Sequence, residues 1–324
     1  MSPEPQQKVR SLWAEAWQRL RRNRLAMVCL AIIALYMAVG LLDCIPVSWK
    51  RATAGKQTSG EEPRRQGSLF EWVFVQAIGP SDKNESYLPP GTAGHLLGTD
   101  MHGRDVLYKT IKGVNTAVLL GGLTAAIYIP LGLLFGIMAG YFGGIVDEAI
   151  VYVYSTLACI PSILLIIALM AVMQQGLLQL CIALGVTSWV GLCRLIRGEA
   201  LKLRDSDYVL AARAVGAGNM RVIFLHILPN LFHLVIISFT LGFSGIVMSE
   251  AVLTYLGVGV EPSRISWGQM ISLANIELSR YPSVWWQFTS AAVGLFILVL
   301  AFNVFGDALR DALDPRLKMA QEAA

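Results

Sequence analysis

Long uncharged runs alternate with short charged stretches along this chain, and the spacing of the charges sets the elements. Residues 25–42, 114–146, 149–193, 227–249 and 284–306 contain no Asp, Glu, Lys or Arg. A helix that crosses a bilayer needs about 20 predominantly apolar residues, so every one of these runs predicts at least one crossing. The run 149–193 is too long for one, and "MQQG" at 173–176 is its natural break, which brings the expected total to six. In 114–146 one tilted helix is expected to end in a turn at "GYFGG", and Pro130 and Pro161 predict kinks inside their spans. Stretches such as "GLLFGIMAG" and "LGFSGIVM" are rich in small residues, which let helices approach closely where lipid supplies no hydrophobic driving force. The pattern predicts an all-α integral membrane protein with six transmembrane helices.

The same pattern divides the chain. Residues 1–24 form an amphipathic N-terminal segment, 25–45 the first transmembrane helix, 46–113 a loop, 114–306 a core with five further crossings and 307–324 a tail. In the first segment Leu12, Trp13, Ala16, Trp17 and Leu20 recur at helical spacing with Arg opposite, which suits a helix lying on membrane lipid. A solvated juxtamembrane helix has the same pattern. A cleaved signal peptide fits less well, because no A-x-A-like site follows "LLDCIPVSW" and the apolar run exceeds the usual ~7–15 residues.

Composition agrees: 55% of the 324 residues are hydrophobic and 15% charged, against about 25% charged in a soluble domain. The net charge of +4 needs no nucleic acid to explain it, since the basic residues fall where membrane orientation wants them. Arg19, Arg21, Arg22 and Arg24, then Arg194, Arg197, Lys202, Arg204, Arg213 and Arg221, then Arg310, Arg316 and Lys318 would all lie on one side, and the positive-inside rule makes that side cytoplasmic, with both termini. Lys109 and Lys112 count against this orientation. Cys29, Cys159, Cys181 and Cys193 in or beside spans, and Cys44 near the end of one, read as small hydrophobes.

Candidate chemistry is sparse. In "HLLGTDMHGRDVLYKTIKG", His95 and His102 lack well-spaced metal-ligand partners, and local pairing of Asp100, Arg104 and Asp105 at a turn is the simpler reading. There is no GxxxxGK[ST] phosphate loop, no GxSxG and no HExxH, so no catalytic, cofactor-binding or metal-binding residue is assigned. Glu250 and Asp307 fall at predicted span ends, and Asp147 with Glu148 begins one. Without a cluster of charges inside the membrane an autonomous secondary carrier is disfavoured, although some carriers bind through broken helices. Uphill transport would need energy from another chain.

One segment does not fit a simple bundle. Residues 199–229 interrupt the apolar pattern with "RDSDYVLAARAVGAGNMRVIFLHILPN" at 204–230. Asp205 or Ser206 is a suitable N-cap, Asp207 belongs in a first turn, Tyr208, Ala211, Ala212 and Val215 share one face, and Gly216 suits a left-handed terminus. This predicts a helix of about three turns, followed by a turn at "AGN" and a second segment whose start Pro229 restricts. Its small-residue face serves equally for docking a partner and for packing on the chain itself.

The spacing decides between them by resemblance. "LAA" at 210–212, Gly216 and "HILP" at 226–229 resemble the EAA motif of ABC-importer permeases, with Leu210 in place of its Glu and His226 in place of its usual Ile. "WAEAWQRLRRNRLA", "LGTDMHGRDVL", "AGYFGGIVDE", "YLGVGVEPSRISWGQM" and "AFNVFGDALRDALDPRL" are similar to C-type permeases of oligopeptide, dipeptide and nickel importers. The resemblance implies a type-I ABC importer permease fold in a bacterial inner membrane. It also implies pairing with a B-type permease, two cytoplasmic ABC ATPase subunits and an extracytoplasmic solute-binding protein, which outer loops 46–113 and 258–283 would meet. The helix at 207–216 would then seat in an ATPase groove, with Asp207, Tyr208, Ala211, Ala212, Arg213, Gly216, Ala217 and Pro229 as the coupling residues. Peptides are the implied solutes, nickel chelates or other small solutes the alternative.

Overall fold

The computed structural model describes residues 12–49, 65–68, 85–92 and 94–313. Helices α1 (Leu12–Arg22) and α2 (Arg24–Leu42) are followed by a short antiparallel pair, β1 (Pro46–Trp49) and β2 (Arg65–Ser68), with Pro46 opposite Ser68. Then come α3 (Val106–Phe142), α4 (Gly144–Cys159), α5 (Ser162–Met173), α6 (Leu177–Arg204), the short α7 (Asp207–Ala214) and α8 (Asn219–Val222). A π-helical turn, Ile223–Ile227, leads into α9 (Leu228–Tyr255), α10 (Trp267–Leu278) and α11 (Trp286–Leu313). Residues 1–11, the side chains of Leu12 and Trp13, most of the predicted polar loop and the tail beyond 313 lie outside the described residues.

Among the described residues, five helical stretches are long and apolar enough to cross a membrane: α2, α3, α6, Asn219–Tyr255 and α11. The pair α4–α5, bent by 88°, makes a sixth if counted as one span. The expected kink at Pro161 is therefore a break. Proline lacks the N–H that continues a helix and disfavours the helical region for its predecessor, and Ile160 is extended at φ −87°, ψ 128°. Pro130 behaves differently: α3 continues through it, held along its length by α6.

Three boundaries correct the sequence reading. The helix that carries the second crossing begins at Val106, not 114, because Asp105 caps it by accepting the Tyr108 N–H at 3.0 Å. Lys109 and Lys112 are thus helical and not in the loop; Lys109 pairs with Asp100 at 3.1 Å and Lys112 with Asp43 at 2.7 Å. α11 runs to Leu313, so the first turns of the expected tail are helix. Glu250 lies inside α9 rather than at a span end, buried, with the Thr254 hydroxyl donating to it at 2.9 Å.

Close packing follows small residues. On α3, Gly132, Gly136 and Gly140 form a stripe against Leu192, Ile196 and Ala200 of α6, where an added Cβ would stand within 2.9 Å of those side chains. The two helix axes approach closely because those positions carry no side chain. The core divides into one cluster around α3, α6 and α9 and another in which Trp267 of α10 joins α2, α3 and α11. α1 packs on α11, burying Ala16 and Leu20 while Trp17 stays half exposed under the Arg21 guanidinium. Counting α4–α5 as one crossing, the ends of α1 and α11 share a face with α7, and residues 85–105 with α10 cap the other.

Candidate functional site

α7 is built as its residues dictate, with two differences. Ser206 occupies the N-cap in extended conformation, φ −74°, ψ 146°, but its hydroxyl donates to the Leu203 carbonyl at 2.6 Å and makes no cap bond. At the other end Gly216, φ +91°, donates to Arg213 C=O at 2.9 Å and Ala217 N–H to Ala212 C=O at 3.0 Å. These two bonds form a Schellman motif, which needs a left-handed residue and finds a glycine. The helix therefore ends at Ala214, before the predicted 216.

Val209, which the pattern did not single out, is the one fully buried residue of α7. Ala212 and Ala217 are half buried on the same inner side, so the predicted small-residue face is split. Asp207, Tyr208, Ala211, Arg213, Gly216 and Pro229 are exposed. Around them Leu210, Val215, Met220, Phe224 and Leu225 are exposed as well, Val215 at 90%. These exposed apolar side chains stand on and just beyond a short helix that also carries the exposed Asp207 and Arg213. Its geometry is held from below. The Tyr208 hydroxyl accepts from Asn230 Nδ2 at 3.3 Å, and the Arg213 guanidinium lies 4.8 Å from the ring of Tyr141 at the end of α3. Pro229 stands in the first turn of α9, directly after the π-helical turn. Its ring would clash with the carbonyl four residues back in a regular helix, and the π-helical turn is where the chain yields.

Between α6 and α9 lies a cavity of about 860 Å³, walled also by Tyr128 of α3 and by Arg310 and Leu313 of α11. Ser188 and Gly191 of α6 and Ser238, Gly242, Gly245 and Ser249 of α9 line its middle; Glu199, Lys202, His233 and Arg310 line the end nearest α7. No atom lies within 4 Å of where a Cβ would stand at Gly191 or Gly245, so both positions leave open space. Such a wall offers hydroxyls and backbone to a solute, with charge at one mouth only.

On the opposite face the local pairing expected of Asp100 and Arg104 is present at 3.0 Å, but Asp105 bonds His95 instead, 2.8 Å from Oδ2 to Nδ1. The other His95 nitrogen is 3.3 Å from Glu85. Burial pushes the His95 pKa down, yet the hydrogen bonds and charges of Asp105 and Glu85 outweigh it and raise the value. A raised histidine contributes stability that is complete below its ordinary value of 6.5 and is lost as pH rises through the folded value. Thermal unfolding of the purified protein is expected to occur at lower temperature at about pH 9 than at about pH 6, and His95→Gln is expected to flatten that dependence. Dependence of equal size in the variant would assign it elsewhere. Sequence alone missed the deepest group of this face: Lys109, fully buried, donates to Asp100 and, at 2.8 Å, to Gln287 of α11.

The comparisons with known proteins follow the same lines. The family described as binding-protein-dependent transport system inner membrane component matches residues 132–319, and the N-terminal TM domain of oligopeptide transport permease C matches residues 11–50. The chain is 32% identical over 308 residues to the oligopeptide transport system permease protein OppC of Bacillus subtilis, covering 95% of this chain and 91% of that one. It is 34% identical over 305 residues to the dipeptide transport system permease protein DppC of the same organism, covering 94% and 86%. Among solved structures, an inward-facing conformation of the MetNI methionine ABC transporter aligns with a TM-score of 0.50 and 18% identity, over 64% of this chain and 96% of that one. That likeness supports the type-I fold. These relatives are permease subunits, not enzymes, of multi-pass inner-membrane systems. The match spans α7, the cavity helices and more than half of the chain, and by it this chain belongs to the binding-protein-dependent transport system inner membrane components, as a C-type permease similar to those of oligopeptide and dipeptide systems.

Proposed function

We propose that this chain forms half of the pathway of an ATP-driven peptide importer and that α7 is its contact with an ATPase subunit. The observation that carries this is α7 itself: a helix too short and polar to cross a membrane, held to its own bundle by Val209 and otherwise presenting an exposed apolar surface. The distribution of Lys and Arg supports placing the α7 face, with both termini, in the cytoplasm. A B-type permease would complete the pathway across the Ser- and Gly-lined cavity, and two ABC ATPases would sit beneath the pair. A solute-binding protein would deliver the ligand to outer regions 46–105 and 258–283. ATP binding then closes the ATPase dimer, the seated helices move together, and the bundle goes from inward-open to outward-open.

Peptides are the proposed solutes because the relatives carry those names; nickel chelates or other small solutes are the second reading. A wall whose middle offers Ser188, Ser238 and Ser249 hydroxyls, with charge confined to one end, holds the peptide backbone and lets it go. The test is uptake of labelled di- and oligopeptides into proteoliposomes. Uptake is expected only with B-type permease, ATPases, binding protein and ATP together. Uptake by this chain alone would favour an autonomous carrier and overturn the reading, and uptake of nickel chelates without peptides would change the solute.

A further inference from the structure

The turn between α3 and α4 is gripped from elements before, within and after α7. Ahead of α7, Arg197 of α6 makes a two-pronged bond to Asp147 in the first turn of α4, Nε to Oδ1 at 2.5 Å and Nη2 to Oδ2 at 2.7 Å. Arg204, the last residue of α6, lies against Gly143, where an added Cβ would stand 3.0 Å from its Nη1. Within α7, Arg213 covers the ring of Tyr141. After α7, Asn219 Oδ1 accepts the Tyr141 hydroxyl at 2.9 Å. Tyr141 is buried.

The turn leads into the least enclosed helix of the bundle. Only Ile150 and Tyr154 of α4 are buried, and the 88° break separates α4 from α5. Gly143 and Gly144, at φ +67° and +52°, form a left-handed joint between α3 and α4 that side chains rarely adopt. A two-pronged guanidinium–carboxylate bond fixes direction as well as distance, so it carries a displacement that a single contact would let slip. α4 is thus an arm with a hinge at one end, a break at the other, and a grip beside the hinge.

We propose that Asp147 with Arg197, and Tyr141 with Arg213 and Asn219, are positioning residues that pass motion of α7 to the broken span α4–α5. The inference rests on the reading of α7 as the ATPase contact. Its test uses the reconstituted importer with all partner chains and compares Asp147→Asn, Arg197→Gln, the double exchange Asp147→Arg with Arg197→Asp, and Tyr141→Phe, which keeps the ring over which Arg213 sits.

The single variants at 147 and 197 are expected to co-purify with the ATPase subunits while uptake per ATP hydrolysed falls about tenfold. The exchange is expected to recover most of it, and Tyr141→Phe to lose about threefold. Unchanged uptake per ATP in the single variants overturns the proposal, as does loss of the ATPases together with uptake. Ala211→Trp on the exposed side of α7 separates the two readings. If it leaves ATPases bound and uptake intact, the reading of α7 fails. If it releases the ATPases while Asp147→Asn transports normally per ATP, only the present inference fails.

Discussion

Gly216→Trp is expected to abolish ATP-driven uptake while the permease pair still purifies intact. The position combines two constraints. Its backbone is left-handed at φ +91°, which costs a side-chain-bearing residue about 1–2 kcal/mol, and the space around it is open, so an indole there projects onto the surface an ATPase would cover. Bulk at the centre of a docking patch removes about 2 kcal/mol or more of contact energy, roughly thirtyfold in affinity. Two controls divide strain from bulk. Gly216→Asn, which tolerates the left-handed region, is expected to keep most uptake. Ala211→Trp, on helical backbone and exposed, is expected to lose it without strain. Co-purification of the ATPase subunits and uptake are measured together. Loss of uptake with ATPases still bound would move the role of Gly216 from docking to another step.

Lys109→Ala is expected to cost stability more than any exposed substitution. Lys109 and Asp100 are each 1% exposed, and the ammonium bridges Asp100, on the face opposite α7, to Gln287 of α11. Removing one partner of a buried ion pair leaves the other charge uncompensated, at about 3–5 kcal/mol. Arg104 and two backbone N–H groups still hold Asp100, which argues for the lower part of that range. The measurement is thermal unfolding of the purified permease pair in detergent, with an expected drop on the order of 10 °C. Asp100→Asn in the same molecule is expected to restore part of the loss by removing the stranded charge. Acid acts on the same site. Burial raises the Asp100 pKa, but Lys109, Arg104 and the backbone N–H groups of Arg104 and His102 outweigh it and hold the value below the ordinary 3.8. That stability is present above 3.8 and is lost as pH falls through the lower folded value. A drop of a degree or less in Lys109→Ala would show that the pair merely balances its own desolvation.

Some of this was legible in the order of residues. The five apolar runs, the break at "MQQG", the turn at "GYFGG", α7 and its glycine terminator all rest on local properties: the length of an apolar run, the shape of a cap, the freedom of glycine to adopt positive φ. Such properties are carried by a few neighbouring residues, so the pattern displays them. Where charge was read as a boundary the reading failed, as at Lys109 and Lys112, because the helix that carries them folds their ammonium groups onto Asp100 and Asp43, and Gln287 and Asp43, which complete those sites, come from distant parts of the chain. Val209 was missed for a related reason. Which side of a short helix faces inward depends on what lies beneath it.

The order of residues by itself thus determined that this chain crosses a membrane, about how often, and that a short helix interrupts the crossings. Tertiary structure alone decided that Pro161 breaks its span while Pro130 does not, that Ser188, Ser238 and Ser249 share one cavity with glycines, and that Asp147 meets Arg197 across 50 residues. Those outcomes are set by contacts between distant segments, whose energies arise only when the bundle brings them together.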